Sequence, residues 1–410
     1  MLDIEAIRED FPILKTQVHG HPLVYLDNAA TTQVPVQVLD RVREHYLTSN
    51  ANVHRGMHCL AHRSTEALED ARATVAAFIG AADDDCVVFT RGTTDSLNML
   101  AAGLGHLVGP GDVVVTTLLE HHSNFVPWQQ LCIARGAALR VVGLDERGDI
   151  DWDDYRAALS DDAGRVRIVA CTGCSNVLGT APDVARMSEL AHDAGALFVL
   201  DAAQLMRHSV ARMADLGCDF IAFSGHKMLA GTGIGVLAGT RKAMELVCPR
   251  DFGGEMVDRV TAEETTWEKL PLRLEAGTPN YVGAIALAQA CRYLEGIGRE
   301  EVARREDALA SHAVAELSRI PDLRILGNPD RRCGVVSFHM EGVHPLDLCT
   351  MLDLRGIALR SGHNCAQPLL ASVGLTSVSR LSPAFYNTFE EIDFAVEQIG
   401  RASALLRARR

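Results

Sequence analysis

The residue that most clearly invites a chemical role is Lys227, which ends the sequence SGHK directly after the apolar run at 220–223. Lysine is scarce in this chain, with four among 410 residues against 35 arginines. An arginine stays protonated, whereas a desolvated lysine amine can lose its proton and form a Schiff base with a carbonyl group. A surface lysine that simply follows a strand is the alternative at this point.

An acidic residue, Asp201, follows the neighbouring apolar run at 197–200. Both runs are typical of parallel strands, so we expect Asp201 and Lys227 at the same edge of a sheet. Such a pair is either a buried ion pair or a site for pyridoxal phosphate. That cofactor needs a lysine to hold its aldehyde and an acid to keep its pyridine nitrogen protonated, and the pairing favours it.

A phosphate site is predicted at the sequence RGTTDS at 91–96, where a glycine turn and the hydroxyls of Thr93 and Thr94 precede a helical pattern. Free N–H groups and the dipole at the start of a helix attract anions. Ser224 and His226, beside Lys227, strengthen this interpretation. Capping of the helix, without any phosphate, is the alternative.

A histidine pair, His121 and His122, follows the apolar run at 112–115 in the sequence LEHHSN. A metal site or a polar loop would also use such a pair, but no third ligand stands at helical or hairpin spacing. We therefore predict no metal. The hypothesis that we favour is that His121 stacks on a planar ring and keeps its nitrogens free for proton transfer.

Cys365 stands in the polar sequence RSGHNCAQP at 360–368. Exposure and nearby cationic or histidine groups lower the pKa of a thiol and leave it available as a nucleophile, although a buried and inert cysteine is the alternative. Cys171 and Cys174 form a CxxC pair after another strand. Because no second CxxC accompanies them, we interpret them as packing rather than as a redox or zinc pair.

Short β-branched runs alternate with longer helical patterns, which predicts an α/β fold with a mostly parallel sheet between layers of helices. We predict a bent helix at 287–319, with its bend near Gly296 and Gly298, and a second set of strands around 335–338. A large cofactor-binding domain is predicted at 20–294, and a smaller α+β domain that carries Cys365 at 1–19 and 295–410. The predicted strands of the large domain are 86–89, 112–115, 139–142, 166–169, 197–200, 220–223 and 235–237.

Composition excludes several classes of protein. A net charge of -14 argues against nucleic acid or an anionic membrane as the main partner. The start of the chain is acidic, and no run approaches the roughly 18 apolar residues of a membrane span, so we expect a cytoplasmic protein. The 11 cysteines are an odd number and several stand in apolar runs, which is typical of a reducing compartment.

Taken in order, the motifs resemble those of the Suf-type (group II) cysteine desulfurases, in the aminotransferase class V branch of fold-type I pyridoxal phosphate enzymes. The resemblance covers nearly the whole chain, and the short segment around Cys365 is similar to the Suf type. Its motifs are YLDNAATT at 25–32, VHRGMH at 53–58, RGTT at 91–94, EHH at 120–122, SNVLG at 175–179, DAAQ at 201–204, SGHK at 224–227, EAGTPN at 275–280, the Cys365 sequence and YNT at 386–388.

The resemblance implies a role for each matching residue. Lys227 would form the Schiff base, Asp201 would contact the pyridine nitrogen and His121 would stack on the ring and carry protons. Asn176 and Gln204 would contact the phenolic oxygen of the ring. The phosphate would be held by Thr93, Thr94, Ser224 and His226, with Thr278 from the other subunit of a homodimer. The implied substrate-binding residues are Arg380 for the carboxylate, Arg360 at the thiol end, and Asn28, Ala30, His54 and Arg55.

The implied reaction converts L-cysteine to L-alanine and leaves the sulfur as a persulfide on Cys365, for a SufE- or SufU-like acceptor. A selenocysteine lyase, acting on L-selenocysteine, or another class V enzyme (aminotransferase, epimerase or C–S lyase) is the alternative, as is a catalytically silent scaffold. Three departures from the family pattern, at 173–174, at 228–233 and at Asn364, leave room for a specialised relative outside general iron–sulfur cluster assembly.

Overall fold

The structure is a computed structural model that describes residues 2–82, 85–161 and 164–408. Its strands are β1 (Gln17–Val18), β2 (His21–Pro22), β3 (Val24–Tyr25), β4 (Cys86–Thr90), β5 (Val113–Thr117), β6 (Ala138–Val142), β7 (Val166–Thr172), β8 (Leu197–Asp201), β9 (Phe220–Ser224), β10 (Gly235–Gly239), β11 (Val257–Val260), β12 (Thr265–Trp267), β13 (Leu323–Ile325), β14 (Val336–Met340), β15 (Ile357–Ala358), β16 (Arg360–Gly362) and β17 (Val378–Leu381).

The helices alternate with these strands through the first part of the chain. They are α1 (Ile4–Glu9), α2 (Val36–Thr48), α3 (Cys59–Phe78), α4 (Thr93–Gly103), α5 (Val126–Arg135), α6 (Trp152–Ser160), α7 (Val184–Asp193), α8 (Leu205–His208), α9 (Met213–Leu216), α10 (Arg241–Glu245), α11 (Tyr281–Ile297), α12 (Arg299–Leu317), α13 (Pro345–Asp353), α14 (Gln367–Ser372) and α15 (Phe389–Ala408).

A seven-stranded sheet forms the centre of the molecule, in the order β4-β10-β9-β8-β7-β5-β6. Strand β10 is antiparallel to both of its neighbours, and the other six strands run in one direction. Every residue of β4, β5, β9 and β10 is buried, as expected of a sheet that is covered on both faces. The seven predicted runs are the seven strands of this sheet, and the predicted fold class is confirmed.

Alternate residues of the central strands supply two separate cores. Val113 and Val115 join the helices α2, α3 and α7 on one face, whereas Val114 packs with Leu100 of α4 and Trp128 of α5 on the other. This alternation is the period of two that a strand imposes on its side chains. The two apolar layers therefore fix the position of each strand end, and with it the positions of the loops that follow.

A second, antiparallel sheet of order β13-β14-β17-β16 lies in the C-terminal part of the chain. Helices α12, α13 and α15 cover it around a core that includes Leu309, Phe338, Leu348 and Ile392. The short strand β3 pairs in parallel with β15. This pairing ties the N-terminal region to the part of the chain that carries Cys365.

The helix predicted at 287–319 is in fact two helices, because Gly298 has a φ of +92° that a helix cannot contain. The first of them, α11, begins earlier than predicted, where the side chain of Asn280 accepts a hydrogen bond from the Gly283 N–H at 2.9 Å. α11 packs on α2 and α3, whereas α12 packs on α15. The boundary predicted at residue 294 stays a prediction.

The N-terminal segment contacts residues near the start of α15. Arg8 donates hydrogen bonds to the Tyr386 carbonyl at 2.8 Å and to Glu391 at 2.7 Å, and Phe11 packs against Tyr386. The assignment of 1–19 to the small domain stays a prediction. No helix within the described ranges has the length and apolar character that crossing a bilayer requires.

Candidate active site

A cavity of about 210 Å³ lies at the edge of the large sheet where the parallel strands end. Its wall is formed by the loops that follow β4, β5, β7, β8 and β9, together with residues of the second sheet. Of the predicted site residues, the cavity is lined by Ala30, Thr93, Thr94, His121, Asn176, Asp201, Gln204, Ser224, His226, Lys227, Arg360, Cys365 and Arg380.

Lys227 stands in a single 3₁₀ turn that follows β9 directly. The carbonyl of His226 accepts hydrogen bonds from the Thr32 N–H at 2.9 Å and from the Thr31 hydroxyl at 3.0 Å, which fixes the backbone beside the lysine. Burial lowers the pKa of Lys227, while Asp201 opposes that change and Arg380 adds to it. The site therefore shifts the amine toward its uncharged form, which is the nucleophilic one.

Asp201, the last residue of β8, is fully enclosed, and its Oδ1 accepts a hydrogen bond from the Ala203 N–H at 2.9 Å. Burial raises the pKa of Asp201, and that hydrogen bond and Lys227 oppose the change. Two residues on, the Gln204 amide donates to the Ala29 carbonyl at 2.8 Å. The carboxylate is thus positioned by its own strand, and a cationic ring nitrogen in the cavity would stabilise its charge.

The predicted phosphate residues converge at the N-terminus of α4. The Ser224 hydroxyl lies 2.8 Å from the Thr93 N–H and 2.7 Å from the Thr93 hydroxyl, and the hydroxyls of Thr94 and Ser123 are 2.6 Å apart. Gly92 precedes the helix with a φ of +149°, a conformation that L side chains rarely adopt. Four hydroxyls and a free helix N-terminus form a site for an anion.

His121 lines the cavity immediately after the buried Glu120. The Nδ1 atom of His121 accepts the Ser123 N–H at 3.1 Å, so the neutral ring carries its hydrogen on Nε2. Burial, with a further contribution from Lys227, lowers the pKa of His121 to about 3. The ring is therefore uncharged at neutral pH, as stacking on a cofactor ring requires.

Glu120 anchors the loop that carries His121. Its carboxylate accepts hydrogen bonds from the Thr117 hydroxyl at 2.6 Å, the Asn124 amide at 2.6 Å and the Thr172 N–H at 3.0 Å. These contacts tie the end of β5 to the end of β7. The position of His121 is thus fixed by a buried network and not by its own packing alone.

Arg380, on β17, is 3% exposed and brings a guanidinium group to the cavity. One nitrogen donates to the Asp27 carboxylate at 2.9 Å and another to the Asn176 carbonyl at 3.1 Å. Its buried Nε has no hydrogen-bond partner among the described residues. Arg360 is more exposed and lies 3.7 Å from the second oxygen of Asp27.

Cys365 belongs to the segment 362–367, which we call the thiol segment. Cys365 lines the cavity and also an open groove of about 1090 Å³ along α4 and α5. It is partly exposed, whereas most of the other cysteines in the described ranges are buried. It lies close enough to Lys227 to influence the pKa of that amine, after the larger contributions of burial, Asp201 and Arg380.

Four predicted site residues lie outside the cavity wall. The Asn28 amide donates to the Ser382 carbonyl at 3.0 Å, so only its neighbours reach the cavity. His54 contacts Glu255 at 3.3 Å, and Arg55 donates to the Val257 carbonyl at 3.4 Å. Thr278 lines a separate cavity, together with Thr90 and Arg91. The roles of these four residues stay predictions.

Sequence reasoning missed three residues that the structure brings to the site. Asp27 orients Arg380, Ser123 orients His121, and His122 contacts the thiol segment. Ser123 could have been found, because it directly follows the histidine pair. Nothing in the local sequence connects Asp27 or His122 to partners more than 200 positions away.

The two residues of the CxxC pair are both buried. Burial raises the pKa of Cys171 well above its ordinary value. Cys174 lines the cavity, and hydrogen bonding with Cys333, followed by burial, raises its pKa as well. Neither thiol is ionised at neutral pH, so the interpretation of the pair as packing stands as the simplest one.

These residues fit pyridoxal phosphate. Lys227 brings an amine to the cavity, the buried Asp201 carboxylate has no cation hydrogen-bonded to it among the described residues, and the N-terminus of α4 offers donors to a phosphate. The buried Oδ1 of Asn176 has no hydrogen-bond partner among the described residues, although it lines the cavity. Fold and site together define a fold-type I pyridoxal phosphate enzyme. Residues 24–394 match the aminotransferase class-V family, and the chain belongs to that family.

Known relatives narrow this class. The chain is 44% identical over 393 residues to a probable cysteine desulfurase of Halalkalibacterium halodurans, which covers 96% of both chains. The apo structure of a cysteine desulfurase from Thermococcus onnurineus superimposes with a TM-score of 0.92 at 37% identity, over 98% of both chains. The cysteine desulfurase CsdA of Escherichia coli gives a TM-score of 0.89 at 37% identity, over 99% of both chains.

Proposed function

We propose that this protein is a cysteine desulfurase of the Suf type, which converts L-cysteine to L-alanine and retains the sulfur on Cys365. The observation that carries the proposal is that Lys227, Arg380 and Cys365 line one small cavity. An aminotransferase would need the amine and the arginine but no thiol. A thiol within reach of the same substrate is what sulfur removal requires.

The substrate carboxylate binds at Arg380. This side chain is already oriented by Asp27, and its buried Nε has no partner among the described residues. A planar guanidinium can hold a carboxylate through two parallel hydrogen bonds. The same contact positions the side chain of the bound cysteine relative to Cys365.

The cofactor, when bound, acts as an electron sink for the bond-breaking at the α-carbon. Lys227 supplies the amine for attachment and, once displaced by the substrate, accepts the α-proton; burial lowers the pKa of this amine. His121 carries its hydrogen on Nε2 and would donate a proton to the substrate. Both groups are held by the strand ends described above.

Cys365, as the thiolate, attacks the sulfur of the bound cysteine. A sulfur–sulfur bond forms, the carbon–sulfur bond breaks, and the electron pair stays with the carbon, which is then protonated on the way to alanine. The enzyme retains a persulfide. Because Cys365 also lines the open groove, an acceptor of the SufE or SufU kind can collect that sulfur from outside.

The same proposal includes a cytoplasmic homodimer in which Thr278 of one subunit contacts the phosphate bound to the other. Its support is that Thr278, within the sequence EAGTPN at 275–280, lines a cavity separate from the one that holds Lys227. The sulfur would serve iron–sulfur cluster assembly or the synthesis of a thio-metabolite. L-cysteine is the proposed substrate, with L-selenocysteine as the second candidate.

The test is Cys365→Ala, with Cys59→Ala, an exposed cysteine outside the cavity, as the matched control. We expect alanine formation from L-cysteine to fall by about 10³-fold or more in Cys365→Ala, with the absorbance of the bound cofactor unchanged. Alanine and sulfide should be measured with each substrate, with and without a carrier protein. Full turnover of L-cysteine by Cys365→Ala would exclude the persulfide route, and retained turnover of L-selenocysteine alone would identify a selenocysteine lyase.

A further inference from the structure

The thiol segment has an unusual backbone. Asn364 has a φ of +50° and Cys365 a φ of +53°, so two consecutive residues with side chains are in the left-handed region. For an L-residue other than glycine this region is disfavoured, although asparagine tolerates it better than most. Such a conformation persists only where surrounding contacts hold it.

Contacts from the loops that follow β5 and β7 hold this backbone. The Asn176 amide donates to the Asn364 carbonyl at 2.7 Å, and the His122 N–H donates to the Cys365 carbonyl at 2.7 Å. The His122 ring also takes part, since its Nε2 lies 3.2 Å from the Gln367 N–H. His122 therefore contacts the thiol segment through its backbone and through its side chain.

The contact between the Gln367 N–H and His122 Nε2 fixes the protonation state of the His122 ring. A backbone N–H can only donate, so Nε2 must accept, and the ring must be neutral with its hydrogen on Nδ1. Burial, followed by the neighbouring His363, lowers the pKa of His122, in agreement with this geometry. The two rings lie 5.7 Å apart, and His363 itself accepts the Cys365 N–H at 3.0 Å.

We propose that His122 is a positioning residue for the Cys365 thiol, which it keeps in the left-handed backbone conformation by accepting the Gln367 N–H and donating to the Cys365 carbonyl. This inference rests on the proposed function, in which Cys365 receives the sulfur. Among the described residues, the His122 side chain contacts the Gln367 N–H, lies beside the rings of His121 and His363, and makes no hydrogen bond with Arg380. Its loss is therefore expected to slow the sulfur step and to leave amino acid binding unchanged.

The test compares His122→Ala with His122→Gln, in the cofactor-loaded enzyme. Removing one hydrogen-bond acceptor from the segment should lower kcat for alanine formation by about five- to tenfold. The KM for L-cysteine and the absorbance of the bound cofactor should stay as in the wild type. His122→Gln should recover most of the lost kcat, because its amide oxygen can accept the same N–H. The side chain of His62 is 74% exposed, so His62→Ala is the control and should behave as the wild type.

A second measurement does not depend on desulfuration. Alkylation of Cys365 by iodoacetamide, followed by peptide mass spectrometry with Cys59 as the reference thiol, reports how firmly the segment is held. We expect the ratio of the two rates to rise about threefold or more in His122→Ala, because a released segment exposes its thiol. An unchanged ratio together with an unchanged kcat would overturn the proposal, as would equal losses of kcat and Tm in both variants. If Cys365→Ala kept full turnover, the proposed function would fail, while the alkylation ratio would still decide the role of His122.

Discussion

Lys227 and Cys365 line the same cavity, yet the two nucleophiles are positioned in opposite ways. Lys227 stands in the turn that follows a central strand, and the carbonyl of its neighbour His226 is fixed by hydroxyls from residues 31–32. Cys365 is partly exposed, lies in a strained segment, and is held by side chains from two other loops. In the proposed reaction the difference matches their tasks, since the amine must stay in place and the sulfur bound to the thiol must leave.

The largest effect is expected from removing the amine. Lys227→Ala should lower alanine formation by about 10³-fold or more, because both cofactor attachment and the base for the α-proton are lost. The absorbance of the bound cofactor should change as well, in contrast to the result expected for Cys365→Ala. Lys242→Ala, an exposed lysine of α10, is the control. A Lys227→Ala enzyme with wild-type absorbance would contradict the assignment of the amine.

In the proposed reaction Arg380 places the substrate between the two nucleophiles, and its replacement should give an intermediate effect. Arg380→Lys keeps the charge but loses the planar fork, and we expect KM for L-cysteine to rise about 10- to 100-fold. The measurement is steady-state alanine formation over a range of L-cysteine concentrations. Arg360→Lys should raise KM less than threefold, because Arg360 is exposed and its contact with Asp27 is weak. Equal effects of the two changes would show that Arg380 does not bind the carboxylate.

The smallest expected effect is on stability at low pH, and it concerns His208, which lies behind the cavity. Behind Gln204, the buried His208 lies 2.6 Å from Glu306, and Arg207 donates to its other ring nitrogen at 3.2 Å. Burial, then Arg207, lowers the pKa of His208 well below 6.5, so only the unfolded chain binds a proton there as the pH falls through 6.5. Acidification therefore favours the unfolded state.

Between pH 6.5 and 5, the Tm of the wild type should fall further than that of His208→Gln, by about 2 °C. Glutamine can donate to Glu306 and accept from Arg207 without titrating, which keeps both hydrogen bonds. Thermal unfolding followed by circular dichroism at several pH values measures the two slopes. Parallel slopes would mean that His208 does not set the acid sensitivity of this region.

The placement of Lys227 and Asp201 was predictable from the sequence, whereas that of the thiol segment was predictable only in part. Lys227 and Asp201 each follow an apolar run directly, so strand geometry alone places them at one edge of the sheet. The thiol segment depends on His122 and Asn176, which stand more than 180 positions away, and no local pattern marks those pairings. For the same reason the sequence does not show that the amide of Asn28 contacts the Ser382 carbonyl.

The helix predicted at 287–319 shows the same limit of prediction from the sequence. The apolar period through 287–319 is helical on both sides of Gly298, and only the backbone angle at that glycine separates α11 from α12. A period of 3.6 residues describes which face is buried, not whether the axis continues. Tertiary packing decides that, because α11 packs on α2 and α3, whereas α12 packs on α15.

Cys365 lines both the small cavity and the open groove. A sulfur atom bound to its thiol is therefore accessible from the groove, whereas the amino acid binds in the cavity. In the proposed reaction, an outside protein can unload the enzyme while the next amino acid already occupies the inside. Loading and unloading can then overlap in time, and the rate of the whole cycle becomes sensitive to how much acceptor is present.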